Sequence, residues 1–155
     1  MNNQQTIDLL ISLKLNGMAG AFKGAMEMAP QDRPTAEQLV AKMALEEESY
    51  RSRRRTELFI KTSKLRYNAV MEEVICSEER NFSKEQLLEL SDCSFIGRAQ
   101  NLLINGLTGV GKSYLACAIG RQACFLGYRV EYFSMNKFIE QIAMAKVDGS
   151  LIKLI

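Results

Sequence analysis

The stretch Asn101-Leu-Leu-Ile-Asn-Gly106-Leu-Thr-Gly-Val-Gly111-Lys112-Ser113 limits what this chain can be more than any other, because it joins a short apolar run to G-x-x-x-x-G-K-S. Glycines at 106, 109 and 111 permit a turn tight enough for backbone N–H groups to converge on phosphate oxygens, and a helix opening there directs its positive N-terminus at the same point. This is the spacing of a Walker A phosphate loop. Lys112 supplies a point charge for the β- and γ-phosphates of a nucleotide, and the Ser113 hydroxyl is placed to ligate a Mg²⁺ ion that bridges them.

The flanking residues agree with that reading. Leu102-Leu103-Ile104 is an apolar run fit for a buried parallel strand, and from Ser113 to Leu126 the residues Leu115, Ala118, Ile119, Gln122 and Phe125 recur at helical spacing. Gly127 reads as the C-terminal cap. Beyond it, Arg129-Val-Glu-Tyr-Phe133 alternates as a second strand, and Ser134 or Asn136 caps a helix through Phe138, Ile139, Ile142 and Met144 that breaks at Asp148-Gly149-Ser150. The expected fold class is α/β, an incomplete P-loop core over 83–155 preceded by an all-helical region over 1–82.

Composition narrows the chemistry. Histidine is absent, which removes Ser-His-Asp and Cys-His nucleophile systems and the His-based zinc hydrolases. Cys76, Cys93, Cys117 and Cys124 have no C-x-x-C spacing, so buried reduced thiols are expected instead of disulfides or zinc ligands. No apolar run approaches the roughly 18 residues of a membrane span, and the opening Met-Asn-Asn-Gln-Gln lacks the basic start and apolar middle of a secretory signal. A cytoplasmic chain without a membrane partner is expected.

The N-terminal region reads as helices. Thr6 to Leu15 carries Ile7, Leu10, Ile11 and Leu13 at helical spacing, with Thr6 as cap and Asn16-Gly17 as stop, and Met18 to Met28 forms a short helix ended by Pro30. Met18, Met26 and Met28 there read as core filler or as an adaptable docking surface. Thr35 with Gln38 is a capping box that opens a long helix, as Ser83 with Gln86 does for a shorter one. In the long helix Leu39, Met43 and Tyr50 share a face and Glu46-Glu47-Glu48 is expected to be exposed. From Arg51 to Arg66, seven basic side chains (Arg51, Arg53, Arg54, Arg55, Lys61, Lys64, Arg66) against Glu57 leave +6, while the whole chain is +2. A row of this kind is the electrostatic footprint of a nucleic-acid backbone site, and without a base-reading motif its contacts would be to phosphates. The alternative is a solvated face partly neutralised by Glu46 to Glu48.

Five separated stretches carry a family resemblance: Leu13-Lys-Leu-Asn-Gly-Met18, the basic Tyr50–Arg66 helix, Arg98-Ala-Gln-Asn-Leu-Leu-Ile-Asn-Gly106, the Walker A motif through Tyr114-Leu-Ala116, and Gly127-Tyr-Arg-Val130. From about Ile7 to Ile155 the chain resembles the N-terminal portion of IstB-like AAA+ ATPases, the helpers of insertion-sequence transposition, which are similar to DnaC-type helicase loaders. The resemblance implies ATP and Mg²⁺ as cofactors. It carries the ATP contacts onto Gly106, Leu107, Thr108, Gly109, Val110, Gly111, Lys112 and Ser113, with Ser113 as the Mg²⁺ ligand. It also implies duplex DNA and the element's transposase as partners, and homo-oligomers of the full-length protein.

The chain departs from that family in one respect. After Ser113 the only acids are Glu131, Glu140 and Asp148, none follows an apolar strand as a Walker B acid would, and no arginine follows Arg129. No catalytic residue is assigned, and the chain reads as a member truncated before Walker B. Three roles stay open at this point: an ATPase of transposition completed from elsewhere, a fragment that binds nucleotide and DNA without efficient hydrolysis, and a remnant of a mobile element. A DnaC-like part in replication is the alternative partner system.

Overall fold

The computed structural model describes residues 2–154. Three helices open the chain: α1 (Asn3–Ser12), α2 (Asn16–Glu27) and α3 (Ala36–Ser63). Then follow α4 (Lys84–Ser91), α5 (Ser94–Gly97), α6 (Lys112–Phe125), α7 (Met135–Val147) and α8 (Leu151–Leu154), with single turns at Pro30–Asp32, Met71–Glu73 and Glu78–Arg80. The chain divides into two compact units, Met1–Glu57 and Leu58–Ile155, the division falling inside α3.

In the first unit α1 starts earlier than its apolar spacing predicts, because Asn2 caps it. The Asn2 side chain accepts from the Gln5 N–H at 2.8 Å and the Gln5 side chain accepts from the Asn2 N–H at 3.0 Å, a reciprocal capping box. Lys14 takes the left-handed turn, with φ of 60°, that ends this helix. Asn16-Gly17, expected as a stop, instead opens α2. The reason lies thirty positions away, where the Glu47 carboxylate accepts the Gly17 N–H at 2.8 Å and the Met18 N–H at 3.2 Å. Two donors that a helix start leaves unpaired are satisfied from another helix. Glycine at 17 is needed for that approach, since a Cβ there would lie 2.4 Å from the Glu46 carbonyl oxygen. Ala19, Ala21 and Ala25 form the buried face of α2, while Met28 is exposed and Met18 and Met26 are half-buried.

Glu47 is therefore not on an exposed acidic face. It is 7% exposed and sits at the centre of the Leu39–Met43–Tyr50 stripe, where a carboxylate persists because Arg51 Nε donates to it at 2.7 Å and the two α2 amides donate as well. The Thr35–Gln38 box that opens α3 forms as the sequence indicates, at 3.0 and 3.4 Å.

The second unit has its core at Ala69, Met71, Cys93, Cys117, Ala118, Ile119 and Ala123, with Leu65, Leu90, Phe95, Ile96, Ile104 and Val130 half-buried against it. Helix α6 crosses this core on small side chains. Its end matches the glycine cap read from the sequence: Gly127, with φ of 89°, donates to Cys124 O at 3.1 Å and Tyr128 donates to Ala123 O at 2.9 Å, a Schellman pair. The Ser83–Gln86 box starts α4 at 2.9 and 3.2 Å. Ser134 precedes α7, with Phe133 and Phe138 stapled across the start at 5.9 Å between ring centroids. All four cysteines are free thiols, three of them buried, and burial pushes the Cys93 and Cys124 thiols up.

The α/β expectation fails. Among the described residues there is no strand or sheet, only an isolated antiparallel bridge between Ser77 and Phe82. Leu102–Ile104 and Arg129–Phe133 take no regular secondary structure, and the Tyr132 N–H goes to the Ser63 carbonyl at the end of α3, at 2.8 Å, and not to the other run. A parallel ladder is stable when several strands share it and both faces are covered. Here Leu103 is 82% exposed, and a groove of ≈ 800 Å³ opens beside 101–105.

The Glu47 contacts have a pH consequence. Burial pushes its carboxyl up, but hydrogen bonds from Arg51, Met18 and Gly17 and the Arg51 charge outweigh that and hold it below the usual 4.5. A carboxyl lowered in the folded state stabilises the fold above its unfolded value and loses that contribution as pH falls through the folded value. We expect Glu47→Gln to lower Tm at pH 7 by about 5 °C, and the gap from wild type to shrink as pH drops below about 4.5. Thermal circular dichroism at pH 7 and pH 3 checks both.

Candidate nucleotide-binding site

The irregular run 101–105 delivers the chain to a loop that turns on its glycines. Gly109 and Gly111 have φ of 86° and 93°, the left-handed region that a Cβ makes costly. Gly111 is the residue from which α6 starts, so the loop hands directly to a helix N-terminus. Thr108-Gly109 forms a turn, and among the described residues no N–H from Leu107 to Gly111 makes a close hydrogen bond to a backbone carbonyl. These amides remain available to an anion, and the dipole of α6 adds a partial positive charge at the same end.

The Lys112 ammonium is folded over this loop. Its Nζ donates to the carbonyl oxygens of Gly106 at 2.9 Å and Leu107 at 2.7 Å. An ammonium has three donors, so one is left, and a phosphate would compete with two neutral carbonyls for the others. Gly106 sits close beneath, where a Cβ would meet Val110 Cγ2 at 3.2 Å and Lys112 Cδ at 3.8 Å. Ser113 is exposed in the first turn of α6, as a metal-ligating hydroxyl beside phosphates must be. Among the described residues no group of three or more His, Cys, Asp or Glu side chains gathers to hold a metal. A Mg²⁺ ion at Ser113 would thus complete its shell with phosphate oxygens and water, its usual habit in nucleotide sites.

The acids that follow the loop have other partners. Glu131 Oε1 accepts from Lys64 Nζ at 3.0 Å. Asp148 accepts from the Ser150 Oγ at 2.6 Å and N–H at 2.9 Å, bonds that hold its carboxyl below the ordinary range. Glu140 is exposed in α7.

The basic residues are all exposed, but the structure separates them. Arg51, Arg53, Arg54 and Arg55 lie in the first unit and Lys61, Lys64 and Arg66 in the second. At 3.6 residues per turn Arg51 and Arg55 share a side of α3 while Arg53 points roughly opposite, so the arginines ring the helix. Arg51 is paired with Glu47, and a groove of ≈ 530 Å³ is lined by Glu47, Glu48, Arg51, Ser52 and Arg55. Helix α3 ends at Ser63, which removes Lys64 and Arg66 from it; Lys64 has φ of 56°, and the Arg66 guanidinium lies over the Tyr67 ring at 5.2 Å. Sequence reasoning missed the Lys64–Glu131 pair, for which local spacing holds no signal. It also missed the burial of Glu47, which the helical spacing of 39, 43, 47 and 50 did contain.

A loop with free amides, a cation held across it and a helix starting from its last glycine has the form of the phosphate-loop proteins. The sequence comparisons make this particular: the family profile described as IstB-like ATP binding protein matches residues 8–155, and the chain belongs to that family. It is 32% identical over 151 residues to a protein of insertion sequence IS1162 from Pseudomonas fluorescens that is named for ATP binding, with 97% of this chain and 65% of the relative covered. An insertion-sequence protein from Sinorhizobium fredii, y4uH, likewise named for ATP binding, is 32% identical over 97% of this chain and 61% of its own length. The counterpart in insertion sequence IS21 of Pseudomonas aeruginosa is 26% identical over 92% of this chain and 54% of its own. The chain thus spans less than two thirds of the length of these curated relatives. No helix among the described residues is long and apolar enough to cross a membrane.

Proposed function

We propose that the chain binds ATP with Mg²⁺ on the loop from Gly106 to Ser113 and DNA phosphates on its basic residues, as a helper of transposition working beside the element's transposase. The observation that carries this reading is the Lys112 ammonium held against a glycine-turned loop whose amides are free. The loop amides and Lys112 would hold the β- and γ-phosphates, and the Ser113 hydroxyl would hold the metal. The family and its insertion-sequence relatives support the assignment to transposition over replication. Bound Mg²⁺ supplies charge neutralisation of the phosphates; this chain's own residues bind and orient.

We expect Lys112→Ala to weaken binding of a fluorescent ATP analogue at least tenfold, since the phosphates lose their side-chain cation. Equal affinity for wild type and variant in a titration would sink the site.

The DNA contacts have no base-reading partner, so affinity is expected to be indifferent to sequence and to fall steeply with salt. Replacing Arg53, Arg54 and Arg55 by Ala removes three cations while leaving the Arg51–Glu47 pair in place. The slope of log affinity against log salt should then become shallower by about 1 to 2, since side chains that ring a helix do not all face one duplex. An unchanged slope would reduce these arginines to solvated surface.

Turnover needs an acid that orients water at the γ-phosphate. Glu131 and Asp148 are engaged by Lys64 and Ser150, and Glu140 is on the exposed surface of α7. The 155-residue chain should release phosphate from ATP at background rate, with or without duplex DNA. Lys112-dependent release at about 1 s⁻¹ or faster, an ordinary enzyme rate, would contradict this.

A further inference from the structure

Tyr114 follows the Lys112-Ser113 pair in the first turn of α6, and its hydroxyl donates to Glu73 Oε2 at 2.6 Å. That short, charge-assisted bond reaches 41 residues back along the chain, to the Met71–Glu73 turn. The turn is itself anchored: Ala69 and Met71 are buried in the core of the second unit. On its other side the Tyr114 ring packs against Tyr67, with centroids 6.3 Å apart, and Tyr67 carries the Arg66 guanidinium on its face. Glu73 and the Tyr67 ring thus hold the phenol at its tip and its face.

The buried residues of α6 run from Cys117 to Cys124, one turn beyond the loop. Ahead of them Tyr114 and Leu115 pack half-buried against the same core, and Lys112 and Ser113 lie at the helix start before any of these contacts. Of the first-turn side chains, Lys112 bonds the carbonyls of the adjoining loop, whereas Tyr114 bonds a part of the chain distant in sequence.

We propose that Tyr114 and Glu73 form a positioning pair that sets the rotation of the first turn of α6 and so places the Ser113 hydroxyl for the metal bound with the nucleotide. This deepens the nucleotide reading above and rests on it. Neither residue touches the phosphates; both act through Ser113. Their effect belongs to the Mg²⁺-dependent part of nucleotide binding, because the Lys112 ammonium is tied separately to the Gly106 and Leu107 carbonyls and keeps its place over the loop.

The test is a titration of the 155-residue chain with a fluorescent ATP analogue, in Mg²⁺ and again in EDTA, for wild type, Tyr114→Phe, Glu73→Ala, Glu73→Gln, the Tyr114→Phe/Glu73→Ala double variant and Lys112→Ala. Thermal circular dichroism on each shows that all are folded. The expected result is a roughly fivefold loss in Mg²⁺ for Tyr114→Phe and Glu73→Ala, little change in EDTA, and retention in Glu73→Gln, which keeps an acceptor oxygen. The double variant should be no weaker than either single one. Wild-type affinity for Tyr114→Phe in Mg²⁺, equal losses with and without Mg²⁺, or single-variant losses that multiply would each overturn the pairing. Should wild type and Lys112→Ala bind alike, the nucleotide reading falls and takes this inference with it, which separates the two failures.

Discussion

The second unit depends on how closely α6 is approached. Its interior side is built from Cys117, Ala118, Ile119 and Ala123, and where Gly120 stands a Cβ would lie 3.1 Å from Leu65 and 3.3 Å from Val130. Small side chains let neighbouring segments come near enough to exclude water without a large aromatic core, and dispersion between many close atoms replaces the bulk of a few large groups. Everything functional on this unit is referred to that helix. The glycine loop ends where it begins, the Met71–Glu73 turn packs against its side, and the irregular run through Val130 approaches its middle at Gly120.

The first unit solves a different problem with a charge. Its α2 begins at a residue, Leu15, whose side chain offers no cap, and the orphan amides of Gly17 and Met18 are satisfied by Glu47 from α3. A buried carboxylate needs several donors to persist, and Glu47 has two amides and a guanidinium. The arrangement uses Arg51, one of the basic residues that charge counting assigns to DNA. Net charge along a segment therefore overstates the free cations it presents, since Arg51 and Lys64 each face a carboxylate within 3.0 Å.

The two halves of the proposed nucleotide site differ in what holds them. Loop shape is local: glycines at 109 and 111 adopt dihedrals that other residues avoid, and Lys112 folds back over carbonyls five and six positions earlier. The setting of the first helical turn is not local, for it passes through Tyr114 to a carboxylate 41 residues away. Glu73 thus reaches the start of α6 without adjoining it in sequence.

By itself the sequence determined the loop, its handover to α6, the capping boxes at Thr35 and Ser83, the glycine stop at 127 and the reduced state of the cysteines. Each of these is fixed by residues within a few positions of one another, through backbone dihedrals, caps and helical spacing. Burial of Glu47 was also written there, in the period of 39, 43, 47 and 50, but acidity of the run 46–48 masked it. Only the tertiary structure decided that the apolar runs 102–104 and 129–133 form no ladder with each other. An apolar alternating run states a preference for extended backbone, whereas a ladder needs a partner at matching register, and the amide of Tyr132 finds Ser63. The same holds for Lys64 with Glu131 and Tyr114 with Glu73, pairs 67 and 41 residues apart, since no local period encodes which distant charge or hydroxyl a folded chain brings within 3.0 Å.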